Sequence, residues 1–137
     1  MLRIGKDGPF MIVKNRDFSS IRLGMFVFDV IAPQFAVENI RFFMPDPKDN
    51  NKQGDLISLA GVTSSIVLFD EASPEKQVAE FSSATGENLV ISPNNSMSVF
   101  FNKQEMVDLE VDDFAYIWFI EKYGVKTPII QGLIRIL

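Results

Sequence analysis

Apolar residues in this chain fall in short runs, broken at close intervals by proline, glycine and asparagine. The clearest runs are Phe114 to Ile120 and Ile129 to Leu137, with Lys122-Tyr123-Gly124 at the bend between them. This arrangement predicts a β-hairpin. A hairpin alone leaves its apolar face uncovered, so the upstream chain must supply the rest of a sheet.

The upstream runs can do so. In the stretch IRLGMFVFDVIA, Phe26, Phe28, Val30 and Ala32 point one way and Met25, Val27, Asp29 and Ile31 the other. Both sides are largely apolar, which predicts a strand covered on both faces or used in a subunit contact. Pro33 ends it, having no N–H for a ladder. The run VENIRFFM reads as a strand with Ile40, Phe42 and Met44 inward and Val37, Asn39, Arg41 and Phe43 on the opposite face. PDPKDNNKQGD follows as the clearest loop. Further strands are expected over 62–69, over Gln77 to Phe81 with Val78 inward and Glu80 exposed, and in LVIS and MSVFF. Ser73-Pro74 and Pro93-Asn94-Asn95-Ser96 read as turns. The spacing of Met106 and Leu109 suits one helical turn bridging two sheets. Near the start, Phe10-Met11-Ile12-Val13 is an apolar patch fit for an edge strand or an arm reaching a neighbour.

About seven to eight short strands, with turn signals about every 8 to 15 residues, predict an antiparallel sandwich or barrel. The 137 residues suit a β-sandwich domain over 21–137 preceded by an N-terminal arm or edge strand over 1–20. Hydrophobic residues make up 47%, and thirteen Phe against one Trp and two Tyr lean the aromatic content towards packing.

Composition narrows the chemistry. The chain has no Cys, which removes disulfides and zinc–thiolate sites, and no His, which removes the commonest general base near neutral pH and the commonest transition-metal ligand. A Ser-His-Asp triad is excluded with it. Eighteen acidic against thirteen basic residues give a net charge of −5 with no basic cluster, an argument against binding nucleic acid through its phosphates. No apolar run is long enough to span a bilayer, and Lys6, Asp7, Gly8 and Pro9 occupy the place of a signal peptide's apolar region, so synthesis in a cytoplasm is expected.

Three groups of residues could carry a site. Asp46, Asp49, Asn50, Asn51 and Asp55 offer oxygen ligands, but they lack calcium-loop spacing and read as a solvated hairpin loop. Glu110, Asp112 and Asp113 could serve glycoside chemistry, yet they read as charges guarding an aggregation-prone strand. Phe114, Tyr116 and Trp118 share one strand face and, with Tyr123, could form a platform for sugar or single-stranded nucleic acid. Because Ala115, Ile117 and Phe119 on the opposite face are also apolar, the strand reads as core or subunit contact. No catalytic residue, metal site, cofactor or small-molecule substrate is therefore expected.

The order of elements resembles a family of small immunoglobulin-like β-sandwich domains of tailed bacteriophages, which serve as baseplate and tail-fibre attachment modules. Arg22-Leu23-Gly24-Met25-Phe26-Val27-Phe28 stands at the first strand and Gly61-Val62-Thr63 opens the second. Asp113 to Phe119, Tyr123-Gly124 and Gln131-Gly132-Leu133-Ile134-Arg135-Ile136 match the closing hairpin. The likeness covers residues 21–137 in pattern and is specific over the final hairpin; Pro128 and the 45–55 loop depart from it. It implies an all-β, antiparallel immunoglobulin-like sandwich acting as a non-enzymatic virion structural protein of the tail, baseplate, fibre attachment or capsid surface. The implied partners are other virion proteins and copies of the chain itself, without nucleic acid or membrane. Phe10, Ile12, Met25, Val27 and Phe43 are the expected contact residues. A carbohydrate-binding sandwich using Tyr116 and Trp118 is the alternative.

Overall fold

In a computed structural model, the described residues are 10–14, 17–18, 25–46 and 48–137, with side chains described at 26–43, 48 and 54–137. They form an all-β sandwich of two packed sheets with one short helix. The strands are β1 (Phe10–Lys14), β2 (Asp17–Phe18), β3 (Met25–Val30), β4 (Gln34–Asp46), β5 (Asp49–Leu56) and β6 (Thr63–Asp70). After them come β7 (Ser73–Ser82), β8 (Leu89–Ser92), β9 (Ser96–Asn102), the helix α1 (Lys103–Val107), β10 (Asp113–Lys122) and β11 (Val125–Ile136).

One sheet has the order β1-β4-β9-β8, with β2 and β5 also paired to β4; the other has five strands in the order β3-β11-β10-β6-β7. Most pairings are antiparallel, as the hairpin rhythm requires. Parallel contacts join β1 and β2 to β4, and β3 to β11. The strand count exceeds the expected range partly because much of the 45–55 stretch, read as a loop, is strand: Pro45 and Asp46 end β4 and β5 begins at Asp49, with Pro45 opposite Gln53 and Asp46 opposite Asp49. Ser73 and Pro74 likewise lie inside β7. An edge strand tolerates Pro74 because its missing N–H leaves no inner ladder bond unmade.

The core lies between the sheets and is built by alternation. On β10, Phe114, Tyr116 and Trp118 are buried while Ala115, Ile117 and Phe119 are only half-covered. Phe28 on β3 sits 5.4 Å from the Tyr116 ring and 5.3 Å from Phe101, and Phe42 meets Trp118 edge-on at 5.3 Å. Such edge and tilted contacts add to the area these rings remove from water. Strand β4 departs from the expected alternation. Val37 is buried along with Ile40 and Phe42, because the register against β9 shifts between Val37 and Ile40 at a bulge where Asn39 has φ 57°. The bulge resets which side faces in.

Helix α1 crosses from β9 to β10, hence from one sheet to the other. Asn102 caps it, its side-chain oxygen accepting from Glu105 N at 3.0 Å. Met106 is buried beneath it, whereas Leu109 remains 39% exposed.

The five-stranded sheet is locked where Gly132 meets β3. Gly132 pairs with Tyr116 on one side and Phe26 on the other, so β11 lies between them. A side chain at 132 would put its Cβ 1.8 Å from the Phe26 carbonyl oxygen. The Tyr116 ring spans β11 over this gap, and its hydroxyl donates to the same oxygen at 3.0 Å.

Candidate functional site

The outer face of the five-stranded sheet is built by the residues that alternate with the core. From β10 it takes Ala115, Ile117 and Phe119, and register places their neighbours. Ala115 lies between Leu133 on β11 and Phe69 on β6, with Val27 of β3 beyond Leu133. Ile117 lies between Gln131 and Val67. A row of apolar side chains thus runs across four strands. An antiparallel sheet with one face to water ordinarily carries polar residues there. Here Val67 is buried, at 5% exposure, and the others are half-buried by their own neighbours. A cleft of about 320 Å³ opens on this face, lined by Phe69, Pro74, Ala115, Ile117, Gln131 and Leu133 together with Tyr116 and Gly132.

Charge is confined to the rim. Arg135 donates to both oxygens of Asp29 at 2.7 and 3.1 Å, which neutralises the pair and holds the guanidinium above its ordinary value. Lys126 Nζ lies 4.7 Å from the centre of the Phe119 ring. The edge strand β7 exposes Pro74, Glu75, Lys76 and Glu80, which blunts it against pairing with another edge. The face is therefore the surface that a neighbour would find apolar.

Of the contact residues expected from sequence, Val27 stands on this face. Met25 is in register with Gln131, but its side chain lies outside the described residues, as do those of Phe10 and Ile12 on β1, whose backbones pair with Gln34 and Ala36 of β4. Phe43 belongs to the other sheet; it is 8% exposed, with the Arg41 guanidinium 5.1 Å from its ring. Leu133 and Phe69 share this face but are not among the residues expected from sequence, whereas Ile117 lies in the run expected to be core or subunit contact. The signal for Ile117 is that Phe114 to Ile120 is apolar on both sides, which predicts a cover on each.

The aromatic platform is not presented to solvent. Phe114, Tyr116 and Trp118 are each at most 1% exposed. Trp118 Nε1 donates to Ser64 Oγ at 2.8 Å, and Ser64 Oγ donates to the Phe119 carbonyl at 2.8 Å. Ser83 Oγ accepts from Ser64 N at 2.9 Å, so the buried serine between the sheets is fully partnered. Only Tyr123, at 92% exposure, could stack on a ligand. Glu110, Asp112 and Asp113 are exposed around the connection into β10. Asp55 is exposed too, while the side chains of Asp46, Asp49, Asn50 and Asn51 lie outside the described residues. Among the described residues no group of three or more His, Cys, Asp or Glu is placed to hold a metal ion, and no helix is long and apolar enough to cross a membrane.

Burial pushes the Tyr116 phenol well above its ordinary 10.0. The folded chain keeps a proton that the unfolded chain loses above pH 10, so this contribution is complete below that value and falls as pH rises towards the raised one. The loss from this residue is up to about 1.4 kcal/mol per pH unit. Tyr116→Phe should cost about 1 kcal/mol at neutral pH by removing the bond to Phe26. It should also flatten the decline in stability above pH 10, and urea titrations of both proteins across that range would show whether the slopes differ.

No protein-family model matches the chain, and no curated protein matches it.

Proposed function

We propose that this chain is a non-enzymatic structural protein of a tailed-phage virion, made in the host cytoplasm, whose work is to hold protein subunits together. The observation that carries this reading is the apolar row Val27, Leu133, Ala115 and Phe69 on the outside of a sheet whose inner face already fills the core. Such a face lowers its free energy by docking on another apolar surface. The pattern of the closing hairpin supports the phage assignment, and the lack of His and Cys in the sequence favours contact over catalysis. Tail, baseplate, fibre attachment and capsid decoration are the positions such a module takes, with other virion proteins and copies of itself as neighbours.

Mass spectrometry of purified particles tests the assignment, and the chain should be among their proteins. An Ile117→Lys/Leu133→Lys variant tests the surface. Lysine can lay its stem along the sheet with its head in water, so the fold should persist while incorporation into particles drops. Absence from particles would remove the virion role, and normal incorporation of the folded variant would remove the sheet face from it.

A further inference from the structure

Two separate places on the molecule carry complementary features: the turn between β10 and β11, and a cleft beside α1. At the first, β10 and β11 join through Tyr123-Gly124, a two-residue turn with φ of 54° and 77°. Turns of this kind favour Asn-Gly, because most side chains are strained in left-handed backbone. Tyrosine is thus held in a conformation that suits it poorly, and its ring contributes little to the core in return. Lys122 Nζ lies 5.4 Å from the ring, which is 92% exposed, and nearby Val125 is 64% exposed. The hairpin therefore ends in an apolar tip between Lys122 and Lys126, with Glu121 opposite Lys126 on the ladder.

Between α1 and the edge strand β7, a cleft of about 190 Å³ is walled by Ala79, Phe81, Met106 and Leu109, with Asn88, Asn102 and Glu105 also lining it. Val107 and Leu109 are 47% and 39% exposed, and Glu105, Asp108, Glu110 and Asp112 stand exposed around them. Both asparagines are engaged within the chain: the Asn88 amide donates to the Phe100 carbonyl and Asn102 caps α1. What the cleft offers a visitor is apolar wall and negative charge. It is below the roughly 300 Å³ at which small-molecule pockets begin, and better suited to a single side chain.

Through Leu68 and Ile66, the cleft residues Ala79 and Phe81 are level with Tyr116 and Trp118, so at least five residues of strand, about 17 Å, separate the cleft from the tip, beyond the reach of Tyr123 in its own chain. We infer that the Tyr123 tip of one copy enters the α1 cleft of the next, with Tyr123 and Val125 against Leu109 and Phe81 and the two lysines facing Glu105 and Asp108. Complementary charge selects a second copy as the occupant, since chains of net charge −5 otherwise repel one another. The contact is head-to-tail, so it builds a ring where the rotation closes and a filament where it does not. It rests on the structural role proposed above, in which copies of the chain touch. A single such contact is small, so association is expected in the upper part of the concentration range.

Sedimentation velocity of the full chain over a concentration series tests this. The wild type should associate progressively, and less so as salt screens the charges. Tyr123→Asn should weaken association about tenfold or more without lowering the melting temperature, because asparagine suits the turn. Glu105→Lys/Leu109→Ser should do the same from the cleft side. Mixed together, the two variants retain one working tip and one working cleft, and should stop at a heterodimer. The inference is overturned by a wild type that stays monomeric, by Tyr123→Asn associating normally, or by a mixture that forms no dimer. A monomeric wild type found in virions would sink this contact and leave the structural role standing. Association by a chain absent from virions would do the reverse.

Discussion

Replacing Gly132 with alanine is expected to destabilise the domain by about 4 kcal/mol or more, a loss outside the range of most single substitutions. The new Cβ would lie 1.8 Å from the Phe26 oxygen and within 2.8 Å of two further backbone atoms of that residue. No side chain can swing aside to relieve this, since the three nearest atoms are all main chain of the neighbouring strand. The strain must be relieved by parting β3 from β11, which breaks the parallel ladder from Gln131 to Ile136 and the Tyr116 bond to Phe26. Over-packing elsewhere in a core costs about 1 to 3 kcal/mol; here the obstacle is main chain and the damage spreads along a strand. Urea denaturation should show a lower midpoint, and hydrogen exchange should show the largest loss of protection in β3. A midpoint equal to that of the wild type would mean that the two strands are not held as described.

Trp118→Ala should cost about 3 to 5 kcal/mol, the range for emptying a buried large aromatic site. Trp118 is fully buried, meets Phe42 at 5.3 Å and Phe28 at 6.5 Å, and donates to Ser64. With a typical domain stability of about 5 to 15 kcal/mol, that is enough to leave a large unfolded fraction in a marginal fold. Trp118→Phe separates the parts of the effect. It keeps most of the packing but removes the donor to Ser64 Oγ, and should cost about 1 to 3 kcal/mol. As Trp118 is the single tryptophan, wild-type unfolding can be followed by its fluorescence, and circular dichroism would follow both variants. A Trp118→Ala protein as stable as the wild type would rule out a core centred on this ring.

Local signals in the sequence carried much of this fold. The Tyr123-Gly124 turn is bounded by apolar runs, and the alternation of Phe114, Tyr116 and Trp118 leaves one side for them to bury. The cap at Asn102 and the buried Met106 fit the single helical turn expected there. What escaped depends on partners far along the chain. Asn39 gives no local sign of a bulge, yet its positive φ turns Val37 inward. The residues from 49 to 55 are polar enough for a loop, and only pairing with β4 makes them strand. Nor can alternation tell a strand whose second face is covered by its own chain from one whose second face awaits a neighbour. For that reason the second face reads from sequence as core or contact alike, and only the register sets Val27, Leu133, Ala115 and Phe69 in one row.

The parallel pairing of β3 with β11 also bears on how the molecule comes to be folded. Asp29 and Arg135, which face each other across it, are 106 residues apart. Closing so long a loop is entropically slow, and domains dominated by such distant pairings fold in about milliseconds to seconds rather than microseconds. During synthesis the apolar strand at Met25–Val30 leaves the ribosome long before Gly132 exists to receive it. At about 5 to 20 residues per second, it waits several seconds with its edge unpaired. The segment most exposed to misassembly is thus the early strand, and its safety depends on how quickly the last one is made.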